Sequence, residues 1–435
     1  VNYALTNIEN LAMSDSKKEV LTAELKFIRA YRYHDLIRNY GKVVLMGDRV
    51  VELGDDLTDP SLFEKSTISE GLTYTINELD AAIDGLPENH SNTWQEGRAT
   101  KGAAMALKAR LLLYAASPLY NNNASDPQKW AEAANAAKEV MDLGMYSLYP
   151  DYQKLFLESL GNNEIIFARY YNLNALHTAL EIANGPNGYG GWAGNVPLQN
   201  LVDDYEMADG SEFDWNNESH AQEPYENRDP RFYQTILYNG AEYRGREVET
   251  FVPGGLDSPD GPSNWNTSKS GYYLRKFIDE DLPIINPWGV AGTQDWIYIR
   301  YGEILLNYAE AQNEAAGPDE SVYNAINLIR SRAGMPNIES GLSQSEMREK
   351  IRHERRIELA FEEHRYYDVR RWMIADEVEN QPALGMRITR TDGDLNYSTF
   401  TALDGKNFKE RNYWLPIPRS EILASDNQIE QNPGY

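Results

Sequence analysis

The chain has 435 residues, the length of two or three average domains or of one large layered unit. Its 67 acidic and 41 basic side chains give a formal net charge of −26 at pH 7, so its surface field repels phosphate backbones and anionic lipid headgroups. Nucleic acid is therefore not expected as a partner. The absence of cysteine excludes disulfide bonds, thiolate metal sites and a cysteine nucleophile.

The most apolar stretch, residues 102–119, is interrupted by Lys108 and Arg110. A bilayer span needs about 20 uninterrupted apolar residues, so no membrane-spanning helix is expected. The sequence opens at Val1 without a methionine or a signal-peptide pattern, which predicts a chain that was processed or trimmed before this residue.

Helical patterns occupy the first third of the chain. Apolar residues three or four positions apart predict a helix over 19–40 that ends at Gly41. Its predicted apolar face consists of Leu21, Leu25, Ile28 and Leu36. A second helix is predicted over 97–117, before a proline that stops it. Its packing row has residues four apart, namely Ala99, Ala103, Leu107, Leu111 and Ala115.

The next helix is predicted from its start signal. Asp126 followed by Pro127 is typical of a helix N-cap with proline at the first helical position, and an alanine-rich pattern then continues over 130–143 to Gly144. The two helices therefore form a helix–turn–helix pair.

A second helical pair is predicted near the C-terminus, over 296–316 and 321–333, with its turn at Gly317 and Pro318. Ser343 and Glu346 have the spacing of a capping box and open a further helix whose pattern reaches Trp372. Antiparallel pairs about 30 to 40 residues long predict a mainly α fold, with a tetratricopeptide-like helical-repeat scaffold over 17–144 and 296–375.

The segment 185–292 separates these helical regions. It is rich in glycine, proline, asparagine, aspartate and aromatic residues and has no long helical periodicity. We expect a loop-rich, less regular half with short strands, packed on the helical scaffold as a functional surface.

No enzymatic constellation emerges from the motifs. The histidines are not clustered, and no nucleophile elbow or phosphate-binding loop is present. Paired carboxylates such as Asp203 with Asp204 could supply a glycosidase acid and base, but among 67 acidic residues a solvated surface or charge within a helix network is the preferred interpretation. We predict no catalytic residues, no cofactor and no metal site. Asp392, Gly393 and Asp394 are interpreted as a turn, not a calcium loop.

The run over 352–371 alternates basic and acidic residues. Arg352 and Arg356 are four apart, as are Glu354, Glu358 and Glu362, so these side chains can pair with neighbouring helices while the apolar residues between them fill the interface. A structural role is preferred to a basic binding patch.

The aromatic residues of 185–292 carry the functional signal. Flat rings on rigid loops bind sugars, because the C–H face of a pyranose stacks on an aromatic face while nearby polar groups bond the hydroxyls. The alternative is that each tryptophan fills the core beneath a long loop. The predicted glycan-binding residues are Tyr189, Trp192, Asn195, Trp215, Trp265 and Trp288.

Several stretches together resemble the SusD/RagB family and cover nearly the whole chain in order. They are AELKFIRAYRYHDLIRNYGKV from residue 23, GRATKGAAMALKARLLLYAASPLYN from 97, NLVDDYEMADG from 200, NRDPRF from 227, GYYLRKF from 271, IRYGEILLNYAEAQNE from 299, INLIRSRAGMP from 326, RHERRIELAFEEHRYYDVRRW from 352, YWLPIPRSEI from 413 and the terminal QNPGY.

The resemblance implies a single unit over 1–435 that binds glycan at the outer membrane of Bacteroidetes as a surface-exposed lipoprotein. It implies delivery of oligosaccharide to a SusC-like TonB-dependent barrel and no enzymatic activity. The family normally has an acylated cysteine and a further stretch before the first motif, whereas 22 residues precede it here, so we expect an anchor that this sequence lacks.

Three alternatives stay open at this point. A peptide- or glycopeptide-binding member of the same family would use its tryptophans as core residues. A glycoside hydrolase on a helical scaffold would release reducing sugar. A protein-interaction scaffold would retain no saccharide.

Overall fold

The computed structural model describes residues 1–89, 97–158, 161–177, 179–284 and 291–435. These residues form a mainly α fold with short strands, as predicted. The N-terminal helices are α1 (Asn2–Asn7), α2 (Asp15–Tyr40), α3 (Ile68–Gly85), α4 (Lys101–Ala116) and α5 (Pro127–Asp142). Short central helices follow, namely α6 (Leu180–Asn184), α7 (Gln199–Val202), α8 (Glu218–Gln222) and α9 (Pro230–Thr235). The C-terminal helices are α10 (Tyr301–Ala316), α11 (Glu320–Ala333), α12 (Gln344–Glu358), α13 (His364–Arg371), α14 (Ala375–Glu379) and α15 (Arg419–Ala424).

The strands pair two by two in antiparallel fashion: β1 (Ile165–Arg169) with β6 (Trp296–Arg300), β2 (Ile236–Leu237) with β5 (Tyr273–Leu274), β3 (Glu242–Tyr243) with β4 (Arg246–Glu247), and β7 (Ala383–Thr391) with β8 (Asp394–Leu403). The β7–β8 hairpin was not predicted from the sequence. Its two-residue turn consists of Asp392 and Gly393, with φ of 54° and 101°, so the interpretation of this stretch as a turn is confirmed.

The helical scaffold is a series of neighbouring helices. In it α2 packs on α3, α3 on α4, α4 on α5, and α5 on α10, which also contacts α11 and α12. The whole predicted row of α4 is buried, and its alanines let the neighbouring helices approach closely. None of the described helices combines the length and apolar composition needed to cross a membrane.

Local start and stop signals were predicted correctly. Asp126 caps α5 by accepting a hydrogen bond from the backbone N–H of Gln128 at 3.1 Å, with Pro127 at the first position. Ser343 and Glu346 form a complete capping box at the start of α12. Gly41 ends α2 with a φ of 71°.

The predicted apolar face of α2 is wrong, and the helix begins at Asp15. Ile28 is 46% exposed and Leu36 is 42% exposed, whereas a buried face is formed instead by Ala23, Phe27, Ala30, Tyr33 and Ile37. This face includes charged residues that are neutralised by partners, such as Arg29, whose Nε donates to Glu78 Oε2 at 2.7 Å. Because these charged residues lie among the apolar ones, the hydrophobic periodicity of the sequence did not identify the buried face.

Two further helix predictions need correction. Residues 296–300 form strand β6, because β-branched and aromatic side chains there pair with β1. The helix predicted to reach Trp372 breaks after α12, and Phe361 and Glu363 adopt positive φ of 65° and 66°. The carbonyl of Glu358 accepts from Tyr152 Oη at 2.7 Å and that of Ala360 from Lys276 Nζ at 2.9 Å, so side chains from elsewhere occupy the acceptors near the break.

A buried ion-pair network surrounds the C-terminal end of α12. Arg300 contacts Glu164 at 2.6 Å and both Glu358 and Glu362 at 2.7 Å, and Arg231 contacts Glu358 at 3.0 Å. Burial alone would raise the pKa of Glu358, but the surrounding guanidinium groups hold that pKa well below its usual value. The structural role predicted for this run is confirmed.

Arg356 lies outside this network. It pairs with Asp204, and both side chains stay partly exposed. Its sequence neighbour Arg355 is the buried member, with its Nε 2.8 Å from Asp368 Oδ2. The division of the chain into scaffold segments 17–144 and 296–375 and a binding region 185–292 stays a prediction.

Candidate functional site

The loop after α6 carries Tyr189 and Trp192 and folds back over that helix. The backbone N–H of Trp192 donates to the carbonyl of Ile182 at 2.7 Å. Gly191 passes so close to Gly185 that an added Cβ would lie 2.1 Å from the Gly185 carbonyl oxygen. Glycine at this position therefore permits a tight loop that holds Trp192 half-buried.

Asp257 anchors this loop to the rest of the central segment. The carboxylate is 1% exposed and accepts from the backbone N–H of Gly188 at 3.1 Å and of Glu249 at 2.9 Å. Arg246 donates to both of its oxygens, at 2.7 and 3.0 Å. One buried carboxylate therefore joins three separate stretches of chain through charge-assisted bonds.

The hydroxyl and the ring of Tyr189 both contact other residues of the protein. Its hydroxyl lies 2.7 Å from the carbonyl oxygen of Tyr243 and 3.0 Å from that of Arg246. The Arg246 guanidinium covers the ring, 3.8 Å from its centroid, and burial raises the pKa of the Tyr189 hydroxyl. The ring is thus part of the support beneath the loop, and the structure does not present it as the outward stacking face that the prediction of Tyr189 as a glycan-binding residue requires.

Trp265 lies on the surface next to this support. It belongs to the short turn Asn264–Asn266 and is 77% exposed. This turn packs against the short turn Asn187–Tyr189. The side-chain amide of Asn187 donates to the carbonyl of Ser263 at 2.9 Å. No hydrogen bond or ring contact joins Trp265 to another residue in the described ranges.

Asn195 completes the same loop on its exposed side. Its backbone N–H and its side-chain amide both donate to Asn184 Oδ1, at 3.2 and 2.8 Å. These bonds fix the orientation of the Asn195 side chain. Asn195 itself is an exposed residue. Tyr189, Trp192 and Asn195 therefore lie on one loop that folds over α6, and the Trp265 turn packs on the part of that loop that carries Tyr189.

The remaining predicted tryptophans are not part of this group. Trp215 donates from Nε1 to Asp203 Oδ1 at 3.0 Å, meets Phe213 edge-to-face, and packs on a hydrophobic cluster different from the one beneath Tyr189. This internal packing favours a structural role for Trp215. Trp288 lies outside the described residues.

Two cavities of about 800 Å³ each lie away from these residues. The first is lined by acidic side chains facing α12, including Asp203 and Glu206, and the second by Leu201, Phe361 and Arg365. Neither includes Tyr189, Trp192 or Trp265. Burial raises the pKa of Asp203 and Asp204, so this pair is not freely solvated, and the ion pair of Asp204 with Arg356 fits the alternative interpretation of charge within a helix network.

In the part of the chain that the structure describes, no three histidine, aspartate or glutamate side chains form a cluster able to hold a metal ion. The residues that the sequence did not single out are Asp257, Arg246 and Asn187. Their role depends on contacts across 11 to 76 positions, and only the glycines at 188 and 191 hinted at a close approach.

Comparisons with known proteins assign the family. A profile described as "SusD family" matches residues 157–435, and one described as "Starch-binding associating with outer membrane" matches residues 1–113. SusD-like protein P2 of Formosa agariphila is 26% identical over 461 residues, covering 100% of this chain and 78% of the relative.

Solved structures agree with these matches. A SusD-like protein from Bacteroides fragilis is 32% identical with a TM-score of 0.81, covering 100% of this chain and 83% of that one. A SusD-like carbohydrate-binding protein from the same species is 29% identical with a TM-score of 0.82, covering 98% and 83%. A laminarin-binding SusD-like protein is 25% identical with a TM-score of 0.69, covering 100% and 83%. The chain therefore belongs to the SusD family.

Proposed function

We propose that this protein binds oligosaccharide without cleaving it, at the surface of the outer membrane, and delivers it to a SusC-like TonB-dependent transporter. The observation that carries the proposal is the Trp265 ring, which is exposed on a turn that is bonded to a rigid support. Such a ring offers a flat apolar face to a pyranose. Because the turn is already held in place, binding does not have to offset the entropy cost of ordering a loop.

Polar groups next to the ring suit a sugar. Asn264 and Asn266 flank Trp265 in the same turn, and each carries an amide that donates and accepts hydrogen bonds. Asn195, an exposed residue whose side chain is held by Asn184, adds an amide on the loop that carries Tyr189. Neutral amides match the hydroxyls of an uncharged glycan.

The carboxylate beneath this surface supports a non-catalytic role. Asp257 accepts two bonds from Arg246 and two from backbone N–H groups, so its oxygens are occupied and aimed into the protein. A glycosidase acid or base must reach the scissile oxygen or an attacking water. Asp257 cannot do so in this arrangement.

The relatives support the ligand class and the location. One solved relative is named as laminarin-binding and another as carbohydrate-binding. The profile that matches residues 1–113 refers to association with the outer membrane. We propose a surface-exposed lipoprotein. The apolar side chains of Ile28 and Leu36 on the outer side of α2 give the helical half a surface suited to a partner protein.

The test is a Trp265→Ala variant in affinity electrophoresis against laminarin and against starch. Loss of a stacking ring, by analogy with rings that stack on bases, costs about 1 to 3 kcal/mol, so binding should weaken about fivefold or more. The melting temperature should not change, because the ring has no bonded partner among the residues that the structure describes. Tyr3→Ala is the matched control. Tyr3 is a 70% exposed aromatic residue on α1, distant in sequence from Trp265.

A peptide- or glycopeptide-binding member of the family is the second candidate. The internal packing of Trp215 fits that alternative, in which tryptophans serve the core. Unchanged retention of Trp265→Ala on every glycan that retains the wild type would place the glycan site elsewhere. No retention of the wild type on any glycan, combined with binding of a peptide pool, would favour the second candidate.

A further inference from the structure

The two edges of the β7–β8 hairpin differ. On the β7 side, the N–H of Met386 donates to the carbonyl of Ser270 at 2.8 Å, and the N–H of Arg390 donates to Val252 at 2.8 Å. Val252 in turn donates to the carbonyl of Ile388 at 2.9 Å. The outer edge of β7 is therefore covered by the central segment.

The alternation of an antiparallel pair shows where the groups of β8 point. Thr399, Tyr397 and Leu395 lie opposite Met386, Ile388 and Arg390, whose backbone groups face away from β8. Residues opposite each other turn their backbone groups the same way relative to the pair, so Leu395, Tyr397 and Thr399 direct theirs outward. Within the described ranges, β8 pairs with β7 alone.

This open edge has little of the usual protection up to Thr401, after which the pairing of β8 with β7 shifts register. The run from Leu395 to Leu403 has no charge, proline or glycine, and it contains the strand formers tyrosine, phenylalanine and three threonine or serine residues around its centre. Most of its residues are exposed, and Leu403 is 58% exposed. Edge strands are normally blocked by lysine, proline, a bulge or a cover, because free backbone groups recruit another strand.

We propose that β8 is the interface between two copies of this chain, which pair edge to edge and antiparallel about a twofold axis through Thr399. In this register Tyr397 lies opposite Thr401 of the second copy, and Thr399 lies opposite the same residue of that copy. These outward-facing positions meet outward-facing positions, so both copies form ladder bonds over residues 397–401, before the register shift of β8 against β7 that precedes Leu403.

The self-complementary run selects a second copy as the occupant. Tyrosine meets threonine, threonine meets threonine, and no charged side chain enters the ladder over residues 397–401. Asp394 and Asp404 flank it and would face each other across the axis, and each copy has a formal net charge of −26. Electrostatic repulsion therefore opposes pairing, and added salt strengthens it.

The experiment is sedimentation of the full chain over a concentration series up to about 1 mM, at low and high salt. The wild type should form a dimer whose affinity rises with salt. Thr399→Pro should weaken it at least about tenfold, because proline removes an outward donor without breaking the β7–β8 ladder. Thr399→Ala keeps the backbone donor and is the control.

A second variant protects the test against misfolding. Thr401→Lys places a charge in the ladder on an exposed residue and should also weaken the dimer. In the wild type, hydrogen exchange at Tyr397 and Thr399 should be slowed only in the dimer. A wild type that stays monomeric at every concentration and salt overturns the proposal. So does a dimer that folded Thr399→Pro or Thr401→Lys protein forms with unchanged affinity.

Discussion

Lys276 shows how one buried cation is held in this protein. Its Nζ lies 2.7 Å from both Tyr152 Oη and Glu362 Oε1, and 2.9 Å from the carbonyl of Ala360. Burial lowers the pKa of Lys276 to about 8, and it outweighs the attraction of Glu362, which acts in the opposite direction. The charged ammonium group is thus stabilised by its hydrogen-bond partners and destabilised by its removal from water.

This shift predicts a pH dependence of stability. Below pH 8 both the folded and the unfolded chain hold the proton, whereas between pH 8 and about 10.4 the unfolded chain binds more, so the contribution of Lys276 to the free energy of unfolding rises with pH. Relative to Lys276→Met, the wild type should gain up to about 1 kcal/mol per pH unit in this window. Urea unfolding at pH 7, 8, 9 and 10 measures the difference, and parallel curves for the two proteins would contradict it.

At the scale of elements, the faces of α2 have opposite roles. Phe27 is buried and meets Phe167 edge-to-face at 5.2 Å, while its neighbour Ile28 points outward. The two side chains are similarly hydrophobic, so hydrophobicity does not indicate which one is buried. Only the packing of α2 against its neighbours does.

Substitution of these neighbours tests the corrected face. Phe27→Ala should lower the free energy of unfolding by about 3 kcal/mol or more, because it leaves a cavity between α2 and β1. Ile28→Ala removes a largely exposed side chain and should cost less than about 1 kcal/mol. Denaturant unfolding of both variants gives the comparison. Equal losses would mean that the helix is rotated relative to the face described above.

Elements governed by local signals were predictable, and those governed by distant contacts were not. The cap at Asp126 and the capping box at Ser343 involve residues two or three positions apart, so the sequence contains both partners. Strand β6 needs β1, more than 120 residues earlier, and the break after α12 needs Lys276 and Tyr152. The aromatic pattern named Tyr189 and Trp265 alike as candidates, because the supporting role of Tyr189 depends on Arg246 and Asp257, which no local pattern connects to it.

For the whole molecule, the excess of acidic over basic side chains affects which glycans can approach. A formal net charge of −26 produces a negative field over much of the surface, and that field repels acidic sugars at low ionic strength. The amides around Trp265 add no compensating positive charge.

We therefore expect neutral glycans to bind better than acidic ones. Laminarin, which is uncharged, should be retained more strongly than alginate, whose carboxylates are repelled, and the gap should narrow as salt is raised from about 10 mM to about 300 mM. Affinity electrophoresis at both salt concentrations measures this. Stronger retention on alginate at low salt would show that a local cationic site dominates the field.

The attachment of the Trp265 turn has a consequence for how such a protein changes over generations. The turn is held through the backbone carbonyl of Ser263, and the Trp265 side chain contributes no bond to the support below. Replacement of that side chain would alter the proposed glycan-binding surface and leave the bonds of Asp257, Arg246 and Glu358 in place. Under this proposal, a duplicated gene can acquire a new sugar preference through exposed substitutions alone, while the rest of the protein folds as before.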